Sequence, residues 1–190
     1  MSRAYRVSVS ESLRKVVRGS DHVSTDIELL EVLPKEDMAS LLEAELAGQG
    51  FERKGDALIK SVDDVIIEID PATGKVTVTA ELHEEVDLKQ QTDGWADEDY
   101  GSAGKRKAEK RLRKEAKRGL ERQAQSREEK LTQEATEQLE GVLRDLQGEL
   151  DGVVNRVTAQ ALKQKAAQIG EIKEITEDTE NGSMTIVLEV

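Results

Sequence analysis

The sequence predicts an α+β protein: a small mixed or antiparallel sheet domain with one packed helix, a long helical arm, and a C-terminal β-hairpin that completes the sheet. Three observations carry this. From about Gly104 to Ile169 there is no proline, and the stretch is rich in Ala, Leu, Gln, Glu, Lys and Arg, the strongest helix formers. Before and after it, apolar residues alternate with polar ones at the two-residue period of strands. The composition is 36% hydrophobic and 36% charged, with one Phe, one Trp and two Tyr, too few large side chains for one big core. A small sheet domain joined to a solvated helix accommodates that shortage.

Tyr5, Val7 and Val9 alternate with Arg6, Ser8 and Ser10, which predicts a first strand within residues 3–32. Leu13 to Val17 reads as a second strand, with a turn at Gly19-Ser20-Asp21, and Val23 to Val32 as a longer third run. His22 sits beside that turn with no second histidine close in sequence, so it reads as a solvated residue and not a base or ligand. Leu33-Pro34-Lys35-Glu36-Asp37 opens a helix, with proline and acids at the end of the helix that suits them. Met38, Leu41, Leu42, Leu46 and, at the edge, Ala44 form its apolar face; Gly48 and Gly50 end it, and Phe51 plugs the core.

Ala57-Leu58-Ile59-Lys60 is a short strand. Val65–Asp70 and Lys75–Leu82 flank Pro71-Ala72-Thr73-Gly74, the residues a hairpin turn requires. Asp64 and Asp70 are imaginable metal ligands, but capping a turn is the commoner work of such aspartates. From Glu81 to Tyr100 acids accumulate, and with Gln90-Gln91-Thr92-Asp93-Gly94 and Gly101-Ser102-Ala103-Gly104 they read as a flexible acidic linker. The organisation expected is therefore 1–89 sheet domain, 90–103 linker, 104–170 helical arm and 171–190 hairpin.

The arm begins with the opposite charge: Lys105, Arg106, Lys107, Lys110, Arg111, Arg113, Lys114, Lys117, Arg118 and Arg122. The acidic stretch upstream either folds onto this basic helix or masks it until a partner displaces it; the plainest reading is a solvated charged face. Further on, Leu131, Ala135, Leu139, Val142, Leu146, Leu150, Val153, Val157 and Ala161 recur in steps of three and four, a seam for a coiled coil or helical hairpin. A single helix of this length would reach about 100 Å and carry the terminal hairpin away from its sheet. Gly148 and Gly152, with Asp151 between them, offer a break at 147–152, and a helical hairpin is preferred over an antiparallel coiled-coil homodimer for that reason. At the end, Ile172 to Asp178 and Ser183 to Val190 flank Asn181-Gly182, a strong hairpin signal, with Met184, Ile186, Leu188 and Val190 on one face.

The functional classes narrow by exclusion. A net charge of −12 argues against general nucleic-acid binding and against electrostatic attachment to a membrane. The absence of cysteine removes thiolate chemistry, and two histidines are too few for a histidine metal cage. No apolar signal core or membrane-length run is present, so a cytoplasmic protein is expected. Phosphate-binding glycine loops and hydrolase motifs are missing, and no catalytic, cofactor or metal residues are assigned. The residues expected to contact a partner are Trp95, Tyr100, Lys105, Arg106, Lys110, Arg111, Arg113, Lys114, Lys117 and Arg118; the two aromatics serve equally well as anchors onto the chain's own helix.

The runs Ile27-Glu28-Leu29-Leu30-Glu31-Val32-Leu33-Pro34, Gly50-Phe51, Ile67 to Val76, and Ile172-Lys173-Glu174-Ile175 through Thr185 to Val190 together resemble accessory proteins of bacterial ternary conflict systems. Those systems are built with MoxR-type AAA+ ATPases and von Willebrand-A-like partners. The resemblance covers both sheet segments, leaves the helical middle as generic coiled coil, and transfers no functional residue. It implies a non-enzymatic adaptor or scaffold whose partner is such an ATPase or von Willebrand-A-like protein. A nucleic-acid-associated protein using helix 105–122 is the alternative, and a carboxylate enzyme dependent on a divalent metal is a third.

Overall fold

The computed structural model describes residues 4–97, 101–178 and 183–189. In chain order these form β1 (Ala4–Asp26), α1 (Lys35–Gly48), β2 (Glu52–Lys54), β3 (Ala57–Val62), β4 (Val65–Ile69), β5 (Lys75–Asp97), α2 (Gly101–Ile169), β6 (Glu171–Asp178) and β7 (Ser183–Glu189). The class is α+β. The chain divides into two compact units: residues 1–21 with 81–136, and residues 22–80 with 137–190. β1, β5 and α2 each contribute to both.

Several expectations change. The N-terminal strands are one 23-residue strand with no turn at Gly19, and it stops at Asp26. The presumed linker is strand as far as Asp97, followed by helix from Gly101. α2 is one 69-residue helix that passes through 147–152 without a break, so no helical hairpin forms. The C-terminal hairpin exists, but β6 and β7 make a two-stranded sheet of their own and do not join the five-stranded sheet, whose order is β1-β5-β4-β3-β2.

In the second unit the pattern of residue types dictates the layers. Val65, Ile67 and Ile69 on β4 stand opposite Ala80, Val78 and Val76 on β5, and all six are at most 2% exposed. Leu58 of β3 continues the row opposite Ile69. Each fully buried Val, Leu or Ile contributes about 1.5–3 kcal/mol. The other sheet face is open, leaving Ile66 47% exposed. On α1 the buried positions are Met38, Leu42 and Leu46, one four-residue stripe. The helix closes with two bonds: Gly50 N–H donates to Ala47 O (3.1 Å) and Phe51 N–H to Leu46 O (3.1 Å), with Gly50 at a φ of 86°. That is a Schellman stop, and it explains why Phe51 lands beside Leu46 as a buried plug. Glu45 of α1 then accepts from Arg156 (2.8 Å) and Gln160 (2.7 Å) of α2, while Lys60 of β3 reaches Glu149 at 3.0 Å. Asp70 caps the β4–β5 turn as expected, accepting from the Ala72 amide at 2.9 Å and the Thr73 hydroxyl at 2.7 Å. Those bonds, the Thr73 hydroxyl's first, hold its carboxyl below the ordinary aspartate range.

The first unit is a two-stranded ribbon on a helix. As β1 residues climb from Arg6 through Ser8 to Arg14, their side-chain partners fall from Asp93 through Gln91 to Glu85, so the strands run antiparallel. The ribbon's inner face holds Val7, Val9 and Val17 of β1 with Val86 and Ala96 of β5. These meet Ala108, Leu112, Ala124 and Leu131 of α2 in two clusters, to which Tyr5, Leu13, Leu82 and Leu88 add their flanks. The helix buries Ala108, Leu112, Ala116, Leu120 and Ala124, a strict four-residue spacing. Each step overshoots a full turn by about 40°, so the buried line winds around the helix, as contact with a twisted ribbon requires. Close approach is part of the design. A Cβ on Gly19 would overlap the Leu131 carbonyl carbon and the Thr132 amide nitrogen, which is why a glycine that reads as a turn lies in mid-strand.

Candidate interaction surface

Alternation along β5 decides where the charges go. Its even-numbered residues from Leu82 to Ala96 face α2, among them Val86 and Leu88, and its odd-numbered residues face solvent. Glu81, Glu85, Asp87 and Asp93 therefore all project from the outer face of the ribbon. There two of them are met by β1: Arg6 donates to Asp93 at 2.6 Å and Arg14 to Glu85 at 2.5 Å. The Ser8 hydroxyl, followed by Arg6, holds the Asp93 carboxyl below its ordinary range. Of the ribbon's inward polar positions, Glu11 lies 3.8 Å from Arg113, Lys15 donates to Glu128 at 2.7 Å, and the Thr136 hydroxyl donates to Asp21 at 2.8 Å.

The acids at the odd-numbered, outer positions of β5 thus do not mask the basic helix, while Glu84, at an inward position, is half-buried. Lys110, Lys114, Lys117 and Arg118, together with Arg113 and Glu121, line a shallow groove of about 480 Å³ on the helix side opposite the buried stripe. All four cations are exposed, and no ion pair joins any of them to another described residue. Arg113 sits at the margin, tied weakly to Glu11. Lys105 and Arg106 are exposed in the first turns.

A second feature lies at the ribbon's end. Trp95, 66% exposed on the outer face, borders a hollow of about 650 Å³ with Ala96, Ala103, Gly104, Lys107, Ala108 and Arg111. The structure brings Trp95 and Arg111 together there, with Lys107 of the same basic segment. Lys107 and Arg111 are one helical turn apart, the signal that would have paired them. Tyr100 lies outside the described residues.

The carboxylate-rich composition yields no metal cluster: among the described residues no three His, Asp or Glu side chains gather in a way that holds an ion. No helix among the described residues is long and apolar enough to cross a membrane. Of the apolar stripe read as a coiled-coil or helical-hairpin seam, Leu131, Ala135, Leu139, Leu146, Val153, Val157 and Ala161 are buried within the chain, and Val142 and Leu150 are half-buried.

Neither a curated protein nor a solved structure matches the chain. One family model does, described as FtsH ternary system domain X5, and it matches residues 1–190. The expected kinship with ternary systems is met at that level, with FtsH in the family's description where the resemblance suggested MoxR and von Willebrand-A components. A ribbon whose Glu85 and Asp93 are turned outward onto its own arginines, and a helix whose cations stay open, are thus features of a chain that belongs to the FtsH ternary system domain X5 family.

Proposed function

We propose that the chain is a non-enzymatic adaptor of its ternary system, and that the Lys110–Arg118 face of α2 is the surface it offers to an acidic partner. The observation that carries this reading is the orientation of β5, whose Glu85 and Asp93 pair sideways with Arg14 and Arg6 of β1 on the outer face that Glu81 and Asp87 share, with Lys110, Lys114, Lys117 and Arg118 left exposed. In a chain of net charge −12 such a row is a local exception, and exposed complementary charge steers association and sets its orientation. The first partner to test is the FtsH-type component named by the family, followed by an AAA+ ATPase or von Willebrand-A-like protein. Trp95, with Lys107 and Arg111, supplies an anchoring hollow next to the row.

Deleting 105–122 would remove the buried stripe as well as the charges, so the informative variant is Lys110→Gln, Lys114→Gln, Lys117→Gln and Arg118→Gln together. Co-purification of the system's partner from the native host is lost while the circular dichroism spectrum stays unchanged. Undiminished co-purification refutes the reading. The same row of cations also fits a nucleic-acid backbone, which is the second reading. It requires affinity that falls with salt at a slope of roughly −0.9 per phosphate neutralised, and undetectable binding at low ionic strength removes it.

A further inference from the structure

The β6–β7 sheet has an unusual standing. A two-stranded hairpin is marginal on its own in water and gains stability when further strands extend its apolar face. Here the host sheet does not supply them, since the five-stranded sheet ends at β1 and β2. The hairpin's apolar face, with Ile172, Met184, Ile186 and Leu188, is only half buried. Its two outer edges are not alike. β6 has five charged residues among its eight and a register shift between Ile172 and Glu174, two devices that discourage pairing. β7 has one charge among seven residues, no proline, no lysine and no bulge. Among the described residues its outer edge has no ladder partner.

We propose that β7 is a homodimerisation edge: two copies pair their β7 strands antiparallel about Ile186, making a four-stranded sheet across a two-fold axis. The occupant follows from self-complementarity. Centred on Ile186, the pairing sets Met184 against Leu188 of the second copy on the apolar face, and Thr185 against Val187 and Ser183 against Glu189 on the other. No like charges meet, and the half-buried apolar face becomes continuous over four strands.

The test uses the full chain and sedimentation velocity across a concentration series, with circular dichroism as the check on folding. Thr185 and Val187 are exposed, and within the hairpin Val187 stands opposite Glu174, so a lysine at 187 is compatible with the folded hairpin. The wild type is expected to dimerise with rising concentration. Thr185→Lys with Val187→Lys puts like charges opposite each other twice across the axis and yields a monomer of unchanged dichroism. Thr185→Glu with Val187→Lys puts opposite charges at the same two places and restores the dimer. A wild type that stays monomeric at its highest soluble concentration overturns the proposal and leaves the edge to a strand from another protein. A dimer indifferent to the double lysine variant, or one that the Glu/Lys pair fails to restore, overturns the edge or its register.

Discussion

Gly148 and Gly152 offer the sharpest check on the fold, because a continuous α2 and a broken one give opposite signs. Gly148 is exposed in mid-helix, and a Cβ there meets nothing within 4 Å; the same is true of Gly141. Neither has a positive φ. Alanine at each therefore gains its helix preference over glycine, about 0.8–1 kcal/mol, with no clash to set against it. The double variant gains about 2 kcal/mol, and since each kcal/mol moves the Tm of a chain this long by about 2–4 °C, it should melt about 4–8 °C higher. Gly152→Pro reads the alternative directly. In a helix restarted after an Asp151 cap, position 152 is the first turn, where proline is welcome; inside a continuous helix proline costs about 3 kcal/mol. Thermal melts followed at the helical dichroism band, with urea titrations in parallel, measure both. A lower Tm for Gly141→Ala/Gly148→Ala, or an unchanged one for Gly152→Pro, refutes the unbroken helix.

Gly19→Ala, which forces a Cβ into the backbone of residues 131–132, should destabilise by about 1–3 kcal/mol. Gly119→Ala meets only the Gln90 side-chain amide, a group free to swing aside, and should be near neutral in the same urea titrations. Glu45→Ala leaves Arg156 and Gln160 without their shared acceptor and, with the pair partly solvent-exposed, should cost about 1–2 kcal/mol. Asp70→Ala should lower stability at neutral pH. Because the folded carboxyl titrates below its ordinary 3.8, the contribution is present above that value and lost as pH falls through the lower folded pKa. Wild type and variant should therefore converge in melts run at strongly acid pH, and a difference that persists there contradicts the assignment.

The legible parts of the fold were those whose signal is local. The β4–β5 hairpin announced itself through Pro71 to Gly74, and α1 through Pro34, its apolar positions and Gly50. The misread parts depend on partners far away in sequence. Along Glu81–Asp97 the inward positions include Glu84, Gln90, Thr92 and Gly94 beside Leu82, Val86, Leu88 and Ala96, so the alternation is diluted by polar residues. What makes the segment a strand is β1, some seventy to ninety positions earlier. Gly19 likewise carries the mark of a turn, yet its lack of a side chain serves contact with Leu131. For α2, the unbroken three–four spacing was the sounder guide and the two glycines the misleading one. The cations of the candidate surface were plain in the sequence. Their freedom was not, because only the ribbon's pleat determines that Glu81, Glu85, Asp87 and Asp93 point away.

The chain has a single tryptophan, and it lies at the rim of the candidate surface, 66% exposed. Its fluorescence is therefore a reporter that nature has already installed, needing neither label nor mutation. In the free protein the indole should emit as a largely hydrated chromophore, giving only a small spectral change when the chain unfolds. A partner that covers the hollow should move the emission to shorter wavelength and shield the ring from iodide or acrylamide. Binding at this surface can thus be followed optically in the wild-type protein, provided the partner's own tryptophans are spectrally subtracted.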